Sequence, residues 1–204
     1  MKTVEDYRRD CLTILGDAGG RRYSASMLDM GLREALGAYR MFCPRKETVK
    51  QRVSAAEGWT VTLPGFLDPG VSILTIRNEA GFWLEFAEYR TETNVYLNCY
   101  GSQDLPAAGE MLTLELSCPH FIRDLDGAQN TTVPDAHALT VCTGAAGYAM
   151  RIRARSVTEV FGKRPEDREA LSSQANRLLA DYLRDLGQLQ PAALDPLPRG
   201  EFPV

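Results

Sequence analysis

The apolar residues of this chain change period twice, and each change marks a change of architecture. Over residues 3–16, Val4, Tyr7, Cys11, Ile14 and Leu15 recur at helical spacing. Gly16-Asp17-Ala18-Gly19-Gly20 stops that helix. In a second helix Leu28, Leu32, Ala35, Leu36 and Tyr39 share one face. Ser26 and Asp29 are spaced as a capping box at its start. Pro44 closes it, because proline lacks the amide donor a helix needs. From about residue 49 to 122 the period falls to two. Phe82, Leu84 and Phe86 alternate with Trp83 and Glu85; Val95, Leu97 and Cys99 alternate with Tyr96, Asn98 and Tyr100; Leu112, Leu114 and Leu116 alternate with Thr113, Glu115 and Ser117. Asn78-Glu79-Ala80-Gly81 has the composition of a hairpin turn. Such alternation predicts an antiparallel sheet covered on one face.

The helical period returns over 133–187. Pro134 stands in the first turn, where its missing amide is harmless. Leu139, Thr143, Ala146 and Met150 are expected to share a face, and Thr143-Gly144-Ala145-Ala146-Gly147 carries almost no side-chain bulk. Gly162 and Pro165 separate this helix from a last one striped by Leu171, Ala175, Leu178, Tyr182 and Leu186 and ended by Gly187. Residues 188–204 place Pro191, Pro196, Pro198 and Pro203 among Leu189, Leu194, Leu197, Phe202 and Val204. This pattern predicts an extended tail that orders on a partner. The expected class is α+β: a helical body of about four helices (1–48 and 123–187), an inserted antiparallel β lobe (49–122) and an extended Pro-rich tail (188–204).

Length and composition narrow the function classes. The chain has 204 residues, 44% hydrophobic and 25% charged, and can bury a core without metal or disulfide staples. A net charge of −4 disfavours sequence-independent grip on nucleic acid, and it suits a surface past which DNA slides. The five cysteines are widely spaced with no C-x-x-C pair, so reduced, buried thiols are expected. The charged N-terminus is unlike a signal peptide. No stretch has the apolar length of a membrane span. A soluble product assembled in the bacterial cytoplasm is the expectation.

Each motif with chemical potential has a plainer structural reading beside it. His120 and His137 are far apart with no Cys pair or acidic triad nearby, so packing roles are expected. Asp124-Leu125-Asp126-Gly127 resembles the start of a calcium loop, but its glycine falls two positions early, which favours a polar turn. Gly16–Arg22 is glycine-rich but lacks the Gly-Lys-Ser/Thr ending of a phosphate loop and follows a helix. Of Arg151, Arg153 and Arg155, the first and last share a helix face; they read as a solvated face or as a contact with an acidic neighbour or DNA. Phe82, Trp83, Phe86, Tyr89, Tyr96 and Tyr100 read as core and cross-strand pairs, or as a stacking surface for a ligand. Ser24 and Ser26 lack a nucleophile context. The Asn130-Thr131-Thr132 sequon matters only in a secreted protein. No acid, base and nucleophile set stands out, so no catalytic residue, cofactor or metal is expected.

Two stretches resemble the head–tail adaptor, or connector, proteins of tailed phages. The first is the opening, a short helix ending at Leu15-Gly16-Asp17 and a second through Leu32-Arg33-Glu34-Ala35-Leu36-Gly37-Ala38-Tyr39. The second is Leu125-Asp126-Gly127, then Thr131-Thr132-Val133-Pro134-Asp135-Ala136-His137 and Gly144-Ala145-Ala146-Gly147-Tyr148-Ala149. The resemblance implies a non-enzymatic virion protein of the neck. It implies a dodecameric ring that docks on the portal, joins head to tail or stopper protein, and surrounds a DNA channel without sequence-specific binding or any membrane. On that footing Leu194, Leu197, Phe202 and Val204 are the expected portal or neighbour contacts. Gly144, Ala145, Gly147, Arg151 and Arg155 are the expected subunit-packing residues. The smallest adaptors are nearly all helical, so the β lobe is a departure. Stopper or tail-terminator rings are the related alternatives, and a module binding a ligand through the β-lobe aromatics is the unrelated one.

Overall fold

The computed structural model describes residues 2–64, 70–91, 94–100, 105–159 and 165–189. The chain divides into two compact units: Met1–Cys43 with His120–Val204, and Pro44–Pro119. The crossings thus lie at 43/44 and 119/120, not at 48/49 and 122/123. The first shift arises because Arg45–Arg52 is a strand whose only apolar residue is Val49, so its period cannot be read. The second arises because Ile122 is fully buried in the helical core.

The helical unit contains α1 (Val4–Ile14), α2 (Ala25–Phe42), α3 (Ala138–Glu159) and α4 (Pro165–Leu189). Asp6 starts α1 by accepting bonds from the Thr3 amide (2.9 Å) and hydroxyl (3.0 Å). Ser24, not Ser26, caps α2, accepting from the Met27 amide at 3.3 Å. Asp29 is instead spent on α1, forked by Arg8 at 2.8 and 2.7 Å. The N-terminus is strapped along a second segment: the Val4 amide donates to the Arg123 carbonyl (2.9 Å), and the buried Thr131 hydroxyl donates to the Lys2 carbonyl (2.6 Å).

Helix α3 is the centre of this unit. A Cβ on Gly144 would lie 2.7 Å from the Tyr182 ring of α4, one on Gly147 would lie 2.9 Å from Leu179, and one on Gly31 of α2 would strike the Ala145 carbonyl. With neighbours on several sides α3 has no single apolar stripe. Ala138, Val141, Cys142, Ala145, Ala146, Ala149 and Met150 are all buried, whereas Leu139, expected on the inner face, is 66% exposed. A short 3-10 helix, Asp135–His137, leads into α3 after Pro134. The stripe expected on α4 points inward, with Ala175, Tyr182 and Leu186 buried. Helix α4 continues past Gly187 to Leu189, because Gly187 does not take the left-handed conformation that ends helices. The expected tail therefore loses residues 188 and 189 to α4, and 190–204 lie outside the described residues.

The second unit is one seven-stranded sheet: β1 (Arg45–Arg52), β2 (Ala55–Glu57), β3 (Thr60–Pro64), β4 (Ser72–Arg77), β5 (Trp83–Arg90), β6 (Asn94–Tyr100) and β7 (Met111–Cys118). Its order is β1-β7-β4-β5-β6-β3-β2, with antiparallel neighbours throughout. The two outermost strands are consecutive in the chain and joined only by Val53 and Ser54. The Val53 amide bonds to Glu110 on the β7 side, and the Ser54 amide to Thr62 on the β3 side. The sheet therefore curls round until its ends meet in this bent stretch. It encloses its own core of Val61, Leu63, Ile76, Leu84, Val95, Leu97, Leu112 and Leu114, among others. The predicted β4–β5 hairpin is present: Gly81, at φ +89°, donates to the Asn78 carbonyl, and the Asn78 side chain accepts from the Phe82 amide at 2.8 Å. With helices and antiparallel strands segregated in sequence and in packing, the class is α+β.

Candidate interaction surfaces

The small-residue run of α3 is used inside the chain. Gly144, Ala145 and Gly147 are buried against α2 and α4, so they present nothing to a neighbouring subunit. This corrects the expected packing role: minimal bulk lets the chain's own helices approach, and no surface is left over. Arg151 and Arg155 are exposed and do share a face of α3, along a groove of about 210 Å³ with Met30, Glu34, Tyr148 and Ile152. An adjoining groove of about 160 Å³ adds Arg168, Ser172 and Asn176 from α4. Arg153 points elsewhere, donating to the Arg22 carbonyl with its guanidinium 5.0 Å from the Tyr23 ring. Leu194, Leu197, Phe202 and Val204 lie outside the described residues.

Helices α3 and α4 each expose a large apolar side chain, Leu139 and Leu183. The contacts of Gly144 with Tyr182 and of Gly147 with Leu179 set the two helices antiparallel. In that register Leu183 of α4 falls opposite Thr143, one turn from Leu139. Leu139 is 66% and Leu183 49% exposed.

The histidines converge, which their separation in sequence hid. Tyr39 sits between them, its ring centroid 4.8 Å from that of His120 and 5.9 Å from that of His137. The Tyr39 hydroxyl shares a 2.6 Å hydrogen bond with His137 Nδ1. His120 Nε2 donates to the Cys43 carbonyl at 2.8 Å, and its Nδ1 lies 3.2 Å from the Thr132 hydroxyl. Burial, then the nearby Cys43, pushes the Tyr39 hydroxyl above its ordinary 10.0, so it stays protonated. The cluster ties the end of α2 to the segments around residues 120 and 137. Among the described residues no group of three or more His, Cys, Asp or Glu is placed to hold a metal ion.

The remaining motifs resolve into local structure. Asp17 is buried in the glycine-rich loop and accepts from the amides of Arg21 (3.2 Å), Arg22 (2.8 Å) and Tyr23 (3.1 Å). Burial opposes its ionisation, but these amides and Arg22 hold the carboxyl below its ordinary 3.8. The loop's donors are thus taken by the chain's own carboxylate. Asp126 is forked by Arg33, with contacts of 2.9 and 2.5 Å, inside a turn closed by Asp124–Ala128 backbone bonding. Cys11 and Cys142 are buried; the Cys11 thiol is pushed up by its contact with Cys142 and by burial, which makes it unreactive. On the sheet only Phe86 of the noted aromatics packs against the core. Tyr89 and Tyr96 form a cross-strand pair, and Phe82, Trp83, Tyr89 and Tyr100 are exposed.

No protein-family model and no curated protein matches the sequence. The functional reading therefore rests on the residues themselves. No helix among the described residues is long and apolar enough to cross a membrane.

Proposed function

We propose that this chain is a non-enzymatic adaptor of a tailed-phage neck, a ring of identical copies docked on the portal around the DNA channel. The observation that carries the reading is the groove of α3 and α4 that presents Arg151, Arg155 and Arg168, on two helices that also expose Leu139 and Leu183. A ring needs a heterologous interface, one patch complementary to a different one on the next copy. The basic groove of α3 and α4 supplies one such patch. This interface replaces the Gly144–Gly147 run, which the fold consumes. The resemblance in element order, two helices, a β insertion and two helices, supports the same reading. The net charge of −4 suits a channel that passes DNA without holding it. Assembly then takes place in the bacterial cytoplasm and the product resides in the virion neck.

The test is to mix the protein with its cognate portal at micromolar concentration and image the product. A portal-bound ring is the expected result. Absence of any ring overturns the reading, and a ring on tail tubes alone converts it to a tail terminator. Removing residues 190–204 leaves α4 whole, and the tail's proposed role predicts weaker portal binding with an unchanged circular dichroism spectrum.

A further inference from the structure

The outer face of the sheet carries aromatic rings that its core does not use. On β5 the outward residues are Trp83, Glu85, Ala87 and Tyr89; on β6 they are Tyr96, Asn98 and Tyr100. The register sets Tyr89 beside Tyr96, Ala87 beside Asn98, and Glu85 beside Tyr100. Thr60 and Thr62 of β3 continue the rows from Asn98 and Tyr96. Small or short side chains therefore form the floor, with aromatic walls at either end. Tyr96 and Tyr100 are about 13 Å apart along the strand at roughly 3.3 Å per residue. Tyr89 is 64% exposed and Trp83 44%. The Tyr89 and Tyr96 centroids are 6.1 Å apart. The Arg77 guanidinium lies 3.7 Å from the centre of the Trp83 ring, which holds that indole in place and leaves its other side open.

We propose that this face is a binding site for a neutral oligosaccharide. Sugars present C–H faces that stack on flat rings and hydroxyls that need donors and acceptors between the rings. Both are here: Asn98 is exposed, and its Oδ1 accepts from the Thr60 hydroxyl at 2.8 Å, which orients the Nδ2 donor. Glu85 adds an acceptor beside Tyr100. The charges favour an uncharged ligand. The charged side chains on these rows are of both signs, Glu57 and Glu85 against Arg77 and Lys50, and Arg77 is stacked on Trp83. Single-stranded nucleic acid also stacks on aromatic rows, but it needs a positive groove for its phosphates, and Glu57 and Glu85 on this face repel them. A peptide added as a strand bonds along an edge, whereas these rings stand on the face. The proposal is independent of the ring reading, since it concerns the other unit.

The experiment is titration of the full chain with cellohexaose, maltohexaose, chitohexaose and mannohexaose, followed by tryptophan fluorescence and calorimetry, beside a broad glycan array and an oligo-dT control. Saturable binding to at least one neutral glycan, weakened tenfold or more by Tyr89→Ala and by Tyr100→Ser and unchanged by Phe121→Ala, is the expected result. Tyr100→Ser keeps the test valid where Tyr89→Ala loses its ring pair, because Tyr100 is exposed and outside the core. Silence across the glycans, binding that survives both variants, or a preference for oligo-dT overturns the proposal. Failure here leaves portal binding untouched, and failure to form a ring leaves this site standing.

Discussion

Three tyrosines in the helical core show how much a single hydroxyl decides. Tyr7, Tyr39 and Tyr182 are each buried, and burial, the leading cause, holds each hydroxyl protonated. Tyr182 donates to the Ala35 carbonyl at 2.6 Å and Tyr39 bonds His137, while the Tyr7 hydroxyl has no partner among the described residues. Tyr182→Phe is expected to cost about 1 kcal/mol, and Tyr7→Phe to be neutral or stabilising, as measured by urea denaturation. Asp17 makes the corresponding point for charge. Its carboxyl titrates lower in the folded chain than in the unfolded one, so its contribution is full above the ordinary 3.8 and is lost as pH falls through the folded value. Asp6 and Asp126 act with the same sign. Asp17→Asn is expected to lower stability at neutral pH and to flatten its decline below pH 3.8, read from denaturation midpoints across the acid range. None of these partners was legible in the sequence: Tyr39 meets His120 and His137 only after the chain has returned from the sheet.

At the scale of elements, periodicity exposed what packs on one side and missed what packs on several. The stripes of α1, α2 and α4 were readable because each helix buries one face. Helix α3 was read as a helix, but its face was misplaced, since a helix surrounded by α1, α2 and α4 has no polar side to orient the count. The same crowding explains the glycines. Gly144→Ala is expected to destabilise by roughly 1–3 kcal/mol, because its Cβ would sit 2.7 Å from the Tyr182 ring. Gly31→Ala should do the same, with a backbone carbonyl in the way. Gly37→Ala on the exposed side of α2 meets nothing within 4 Å and should stabilise by about 0.5–1 kcal/mol. Thermal melts of the three variants make the comparison. In the sheet, β5, β6 and β7 were legible from alternation. Strand β1 was not, because Val49 is the one apolar residue of Arg45–Arg52 and alternation needs more than one; the strand is placed by pairing with β7, beside an ion pair between Lys46 and Glu115 at 3.0 Å. The aromatic rows were misjudged for a related reason: alternation says which residues share a face, and does not say which face is covered.

For the whole molecule, two units with separate cores divide the work proposed for them. In that proposal the helical unit builds the ring through α3 and α4, and the sheet offers a face to a neutral ligand. The sequence pointed to the first role only through resemblance; of the packing residues it nominated, Gly144, Ala145 and Gly147 are buried by the fold and Arg151 and Arg155 stay exposed, and the proposed interface adds Leu139 and Leu183. The most direct measurement is particle imaging of the cognate portal mixed with either the native chain or the Leu139→Asp, Leu183→Asp variant, both verified as folded. The account predicts closed rings on the portal for the native chain and bare portals, or portals with scattered single copies, for the variant. Rings of equal completeness with both proteins would contradict it.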